Sequence, residues 1–205
     1  LETLFPYTTL FRSAQLAISL ENAYLYEHLR FLVDERTKAL QEEIKVRKRA
    51  EEKLARMANY DALTGLPNRR LFHKILSRLL LEADTSGYLL AVLYMDLDGF
   101  KEINDTFGHD KGDLVLEETA RRLIRAVRGS DIVSRIGGDE FVLLLDRIAT
   151  DEEIRHVCER ILSEIRQPFQ ISENLVVELT ASIGVSVYPK DAQDEKELLS
   201  CAYQA

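Results

Sequence analysis

Only two cysteines, Cys158 and Cys201, occur in 205 residues, with neither metal-ligand spacing nor enough partners for a disulfide framework. This excludes a zinc module or a stapled secreted scaffold and fits a reducing, cytoplasmic setting. Long hydrophobic runs are also missing. Tyr88 to Met95 and Phe141 to Leu145 are far too short to cross a bilayer and read as buried strands. No membrane contact is expected from this stretch, although a longer parent could carry an anchor. Positive charge is in deficit: 27 Lys and Arg stand against 35 Asp and Glu, a net charge of -8. Such a field repels nucleic acid and anionic membrane, so an anionic ligand must be held by a local site. The histidines His28, His73, His109 and His156 are scattered, which supports neither a metal site nor a Ser-His-Asp or Cys-His catalyst. What remains, 46% hydrophobic and 30% charged, fits one globular domain with an additional segment.

Glycine and proline are absent from Ala14 to Tyr60, where strong helix formers dominate and one long helix or two abutting helices is expected. Leu25, Leu29 and Leu32 lie on one stripe, and Leu40, Ile44, Leu54 and Met57 continue it with gaps at Arg47 and Glu51. That pattern predicts a coiled-coil stalk, 14–60, pairing with a second copy. Ahead of it, Thr3 to Ser13 resembles one reading frame of a sequencing-library adapter, so 1–13 is expected to be a foreign leader. Its other reading is a proline-broken, Thr-rich strand.

After the stalk, DALTGLPNRR (Asp61 to Arg70) is turn chemistry, with Asn68 able to cap a helix starting near Arg69 and reaching Glu82. The strand YLLAVLYMDLD follows, its continuous apolar run implying burial on both faces. Asp96 and Asp98 then share one side by the period of two. DIVSRI and FVLLLD form a hairpin through Gly137-Gly138-Asp139-Glu140, whose glycines allow positive φ. With the Asp96 strand beside that hairpin, Asp96, Asp139 and Glu140 converge, and their repulsion calls for a hard divalent cation such as Mg2+. Later, DEEIRHVCERILSEIRQP reads as an amphipathic helix with Ile154, Val157, Ile161 and Ile165 inward, and NLVVEL is expected to pair with TASIGVSVYP.

DALTGLPNR, MDLDGFKEINDTFGHDKGD, RIGGDEF and TASIGVSVYP, in that order, resemble the GGDEF family of diguanylate cyclases over 61–205. The stretch AISLENAYLYEHLR also resembles the closing helix of a GAF sensor domain. The family resemblance implies an α/β (α+β), ferredoxin-like domain with a mixed or antiparallel sheet flanked by helices. It further implies a homodimer that condenses two GTP into cyclic di-GMP, using Mg2+ or Mn2+. On this resemblance Asp96, Asp139 and Glu140, with the Leu97 carbonyl, hold metal, and Glu140 is also a catalytic acid. Lys101 and the amides around Gly99 and Phe100 hold phosphate, and Lys101 is catalytic with Asp139 and Glu140. Asn104 and Asp113 read guanine; a plain N-cap is the other reading of Asp113, and a turn is expected at GHDKGD. Arg128 and Asp131, in RGSD, resemble the inhibitory site for the product, against an ordinary surface ion pair. DEKELLSCAYQA resembles a shortened closing helix without the family's basic tail, so the catalytic domain is expected to be C-terminally truncated. That leaves a second reading, a weak or inactive module that binds GTP or cyclic di-GMP as a receptor.

Overall fold

The computed structural model describes residues 5–205. Of the leader expected over 1–13, the first four residues lie outside the described residues. From Phe5 the chain is helical, so the strand alternative for this stretch does not hold. Two compact units divide the chain, one ending at Leu54 and the other being Ala55–Ala205.

Helix α1 (Phe5–Asn59) runs for 55 residues, as the unbroken series of helix formers dictates. Its predicted seam is exposed: Leu25, Leu29 and Leu32 are 49%, 55% and 46% exposed.

In the second unit, the Asp61 carboxylate accepts from the Thr64 amide (2.8 Å) and hydroxyl (2.6 Å), closing the turn before Gly65. Helix α2 (Arg69–Ser86) starts on the Asn68 side chain, which accepts from the Leu71 amide. It runs four residues past the expected end because nothing breaks it before Gly87, which caps it at φ +72°. Strand β1 (Leu89–Asp98), α3 (Phe100–Phe107), α4 (His109–Ala126), β2 (Ile132–Gly137), β3 (Glu140–Ile148) and α5 (Asp151–Ile165) follow. The chain then forms β4 (Phe169–Ser172), β5 (Leu175–Val177), β6 (Thr180–Tyr188) and α6 (Glu195–Gln204).

The main sheet has the order β2-β3-β1-β6 with every neighbour antiparallel, the ferredoxin-like arrangement. Alternation along β1 splits the core in two. Ala91, Leu93 and Met95 join Phe141 and Leu143 against α3, α4 and α5. Leu90 and Val92 join Val142 and Leu144 against Phe72 and Leu76 of α2 and Leu198 of α6. Helices α2 and α6 are also tied by Glu195, which meets His73 Nδ1 at 2.5 Å and accepts from the Ser77 hydroxyl at 2.5 Å. Arg122 is buried at 6% exposure over the Phe169 ring, donating to the carbonyls of Glu164, Gln167 and Pro168.

Two sequence expectations are corrected. NLVVEL does not pair with TASIGVSVYP: β5 folds back on β4 as a local hairpin, and β6 takes the edge of β1. The turn expected at GHDKGD shrinks to Gly108 at φ +84°, and α4 begins at His109. Asp113 therefore stands inside the helix, and the N-cap reading of it fails.

Candidate active site

The residues of greatest interest gather at one end of the main sheet. Asp96 on β1 faces Glu140 on β3 directly across the ladder, and directly opposed residues of an antiparallel pair share a face. Asp139 occupies the hairpin tip beside Gly138, whose φ of +52° makes the tight reversal. Arg135 pins that tip: its guanidinium donates twice to the Gly138 carbonyl (2.9 and 2.8 Å) and once to Asp61 (3.0 Å).

The expected convergence of carboxylates has an electrostatic signature. Burial first, then the charges of Asp139, Glu140 and Asp98, push the Asp96 carboxyl above its ordinary pKa. Asp98 itself is satisfied, accepting from Thr180 Oγ1 at 2.6 Å and Ser182 Oγ at 2.9 Å. Among the described residues no three His, Cys, Asp or Glu side chains close into a cage. A magnesium ion does not require one, since it keeps several waters and takes one or two carboxylates besides phosphate oxygens. The donor set fits such an ion: hard oxygens from Asp96, Asp139 and Glu140, with the Leu97 carbonyl on the same strand end, and mutual repulsion that a cation would relieve.

A cavity of about 360 Å3 opens over this end, lined by Tyr94, Asp96, Glu140, Ser182, Gly184 and Tyr203 among others. Tyr94, Gly184 and Tyr203 were not singled out in the sequence as site residues. Tyr94 could have been found by stepping back from Asp96 by the strand period of two. Gly184 carried its own signal, since a glycine inside a strand marks a close backbone approach. A Cβ there would stand 2.0 Å from the Ala202 carbonyl oxygen.

After β1 the chain turns at Gly99, φ +78°, into α3, which places Lys101 exposed in its first turn behind buried Phe100. Asn104, half-buried on α3, lies against the first turn of α4: a Cβ on Gly112 would meet its Oδ1 at 2.0 Å. Asp113 is the next residue and is exposed. The structure thus brings Asn104 beside the segment bearing Asp113. Arg128 and Asp131 lie in the turn before β2. Arg128 pairs with Glu153 at 2.6 Å, whereas Asp131 accepts from the amides of Arg128 (2.9 Å) and Asp146 (3.4 Å). The two do not form a plain surface ion pair with each other.

An antiparallel ferredoxin-like sheet thus carries crowded carboxylates at one end. A family model described as "Diguanylate cyclase, GGDEF domain" matches residues 58–205, and the chain belongs to that family. It is 43% identical over 151 residues to the bifunctional diguanylate cyclase/cyclic di-GMP phosphodiesterase MucR of Pseudomonas aeruginosa, covering 74% of this chain and 22% of MucR. Diguanylate cyclase TpbB of the same organism is 41% identical over 152 residues, 74% of this chain and 35% of TpbB. The chain therefore spans between a fifth and about a third of these curated relatives. A structure comprising only the TpbB GGDEF domain matches with a TM-score of 0.69 at 40% identity, covering 71% of this chain and 84% of that one. The coiled coil and GGDEF domain of DgcB from Caulobacter crescentus, in complex with c-di-GMP, matches with a TM-score of 0.75 at 26% identity, covering 84% and 91%.

Proposed function

We propose that the unit Ala55–Ala205 is a diguanylate cyclase, condensing two GTP into cyclic di-GMP with release of two pyrophosphates. The observation that carries this reading is Asp96 facing Glu140 across β1 and β3, with Asp139 close enough to raise the Asp96 pKa. Each of two facing copies holds one GTP. The 3′-hydroxyl oxygen of one attacks the α-phosphorus of the other, the bond to the leaving pyrophosphate breaks, and the hydroxyl proton departs; the second closure repeats the step with the roles exchanged. Asp96, Asp139 and the Leu97 carbonyl would hold Mg2+. When bound, that ion neutralises phosphate charge and lowers the pKa of the attacking hydroxyl. Glu140 would take the proton or add a ligand to the metal.

Lys101 supplies a compact positive charge for phosphate, with the Gly99–Phe100 amides beside it. Asn104 and Asp113 suit guanine: the amide serves O6 or N7, and the carboxylate accepts from N1–H and the exocyclic amine, donors that adenine lacks. The exposed seam of α1 suits pairing with a second copy. At Arg128 and Asp131 we place product inhibition, in which Arg128 would exchange its Glu153 partner for a phosphate. No helix among the described residues is long and apolar enough to cross a membrane, and the cytosol, where GTP is available, is the compartment we assign.

The test is incubation of the full chain with GTP and MgCl2, following cyclic di-GMP by chromatography. Product is expected from the wild type, with specific activity rising with protein concentration, and a loss of at least about 100-fold in Asp139→Ala and in Glu140→Ala. Cyclic di-GMP binding without synthesis would replace this reading with that of a receptor.

A further inference from the structure

We propose that Tyr94 is a positioning residue that holds the Glu140 carboxylate beside Asp96, and that α6 buttresses it through Tyr203. The proposal rests on the reading of Glu140 as a working carboxylate. Tyr94 lies two residues before Asp96 on β1 and so projects from the same face of the sheet. Its partner across the ladder is Val142, next along that face from Glu140, the partner of Asp96. Such a diagonal neighbour is within reach of a long aromatic side chain. The two side chains line one cavity, and burial first, then the Glu140 carboxylate beside it, pushes the Tyr94 phenol up to about 12.

Behind Tyr94 stands Tyr203 of α6, packed edge-to-face with ring centroids 5.1 Å apart, a favoured aromatic geometry. Gly184 makes that contact accessible: its bare Cα lets the Ala202 carbonyl approach to where a Cβ would be 2.0 Å away. Helix α6 therefore comes down on β6 closely enough for its last turn to wall the cavity. On its other side Glu140 faces Asp96, a like charge that drives the two carboxylates apart. A hydroxyl donor fixed by a packed ring opposes that drift. A phenylalanine would fill the same space, so the hydroxyl is the group with a task specific to the site.

The experiment compares wild type, Tyr94→Phe, Tyr203→Ala and a control, Tyr88→Phe, whose hydroxyl bonds the Leu79 carbonyl away from the site. Mn2+ is titrated by electron paramagnetic resonance in the presence of a non-hydrolysable GTP analogue, and steady-state rates are measured with GTP and Mg2+. Tyr94→Phe is expected to weaken Mn2+ binding about tenfold, the usual effect of deleting a partner that orients a metal ligand. It should also lower kcat about tenfold with KM for GTP unchanged. Tyr203→Ala is expected to move both in the same direction by less, and Tyr88→Phe to leave both as in the wild type. Equal Mn2+ affinity in wild type and Tyr94→Phe, no Mn2+ bound by either, or a shift as large in Tyr88→Phe would overturn the proposal. Absence of product from the wild type would instead count against the cyclase reading, and the Mn2+ titration would still decide the role of Tyr94.

Discussion

Replacing Arg135 by methionine keeps the aliphatic stem but deletes the guanidinium that joins the lead-in turn to the signature hairpin. Three hydrogen bonds vanish, two to the Gly138 carbonyl and one to Asp61, at a site where the side chains are only 13% and 23% exposed. Hydrogen bonds to charged groups contribute about 1.5–3 kcal/mol each, but they do not add, and the partners left behind regain some water. A loss of roughly 2–4 kcal/mol follows, or a fall in Tm of about 6–12 °C for a unit of this size. The effect should depend on pH in a definite sense. Burial alone would raise the Asp61 pKa, but the Thr64 hydroxyl and amide and the Arg135 guanidinium outweigh it and hold the carboxyl below its usual value. A depressed carboxyl stabilises the fold above its unfolded pKa, about 3.9, and that contribution fades as pH falls through the lower folded value. The difference between wild type and Arg135→Met should therefore be full at pH 7 and shrink below about pH 4. Urea denaturation of the full chain measures it, with Asp61→Asn completing a double-mutant cycle. A coupling below about 0.5 kcal/mol, with a difference that ignores pH, would refute the idea that this pair fastens the hairpin.

Other substitutions separate binding, packing and charge. Gly112→Ala puts a Cβ 2.0 Å from Asn104 Oδ1 and 3.2 Å from the Phe100 ring; the amide end must swing away, so KM for GTP should rise about three- to tenfold with little loss of stability, and an unchanged KM would count against Asn104 as a base reader. Arg122→Met strands three carbonyl acceptors and Glu118 around a side chain 7% exposed; a loss of about 3–5 kcal/mol is expected in urea, and a loss under about 1 kcal/mol would show that the stem and the Phe169 contact carry the packing. Asp96→Asn removes a carboxyl whose pKa is raised by burial and by its neighbours' charges. An ionised group of that kind opposes folding above its folded pKa, so the variant should melt higher than wild type at pH 7 without metal, with the advantage fading in acid. Added Mg2+ should raise the wild-type Tm and leave the variant's in place, and product formation should cease; a variant that melts lower without metal would contradict the crowding argument.

The carboxylate end was legible in the sequence because two simple periods act there. A continuous apolar run set β1 in the middle of the sheet, alternation put Asp96 on one face, and the Gly-Gly hairpin delivered Glu140 opposite it. Capping chemistry at Asn68 was local and held as expected. What could not be read was pairing between segments of similar pattern. NLVVEL satisfies a strand pattern equally well against either neighbour, and the choice of β4 depends on a short reversal at Glu173 and Asn174 and on β1 leaving its edge for β6. The start of α4 was misplaced because His109, Asp110 and Gly112 look like turn formers, although the helix only needs Gly108 to adopt positive φ ahead of them. Tyr94 escaped notice because an aromatic in a hydrophobic strand reads as core until its neighbours are known. The partner of Arg128 is Glu153, in an element that its four-residue motif cannot reveal.

Crowded acids at a strand end work against the fold, so the surrounding structure must hold them in place. Two clamps do this from opposite sides. Arg135 fixes the hairpin tip bearing Asp139 to the turn at Asp61, and Tyr94, backed by Tyr203, meets Glu140. Neither clamp adds a positive charge inside the cavity, since the guanidinium is spent on Asp61 and the Gly138 carbonyl, and the phenol is neutral. A cationic side chain among the acids would compete with any divalent ion for the same oxygens, whereas a neutral donor and a backbone tether leave lone pairs free. The cluster's excess negative charge would therefore be available to a divalent ion. Its geometry depends on segments, the Asp61 turn and α6, that lie outside the signature motif.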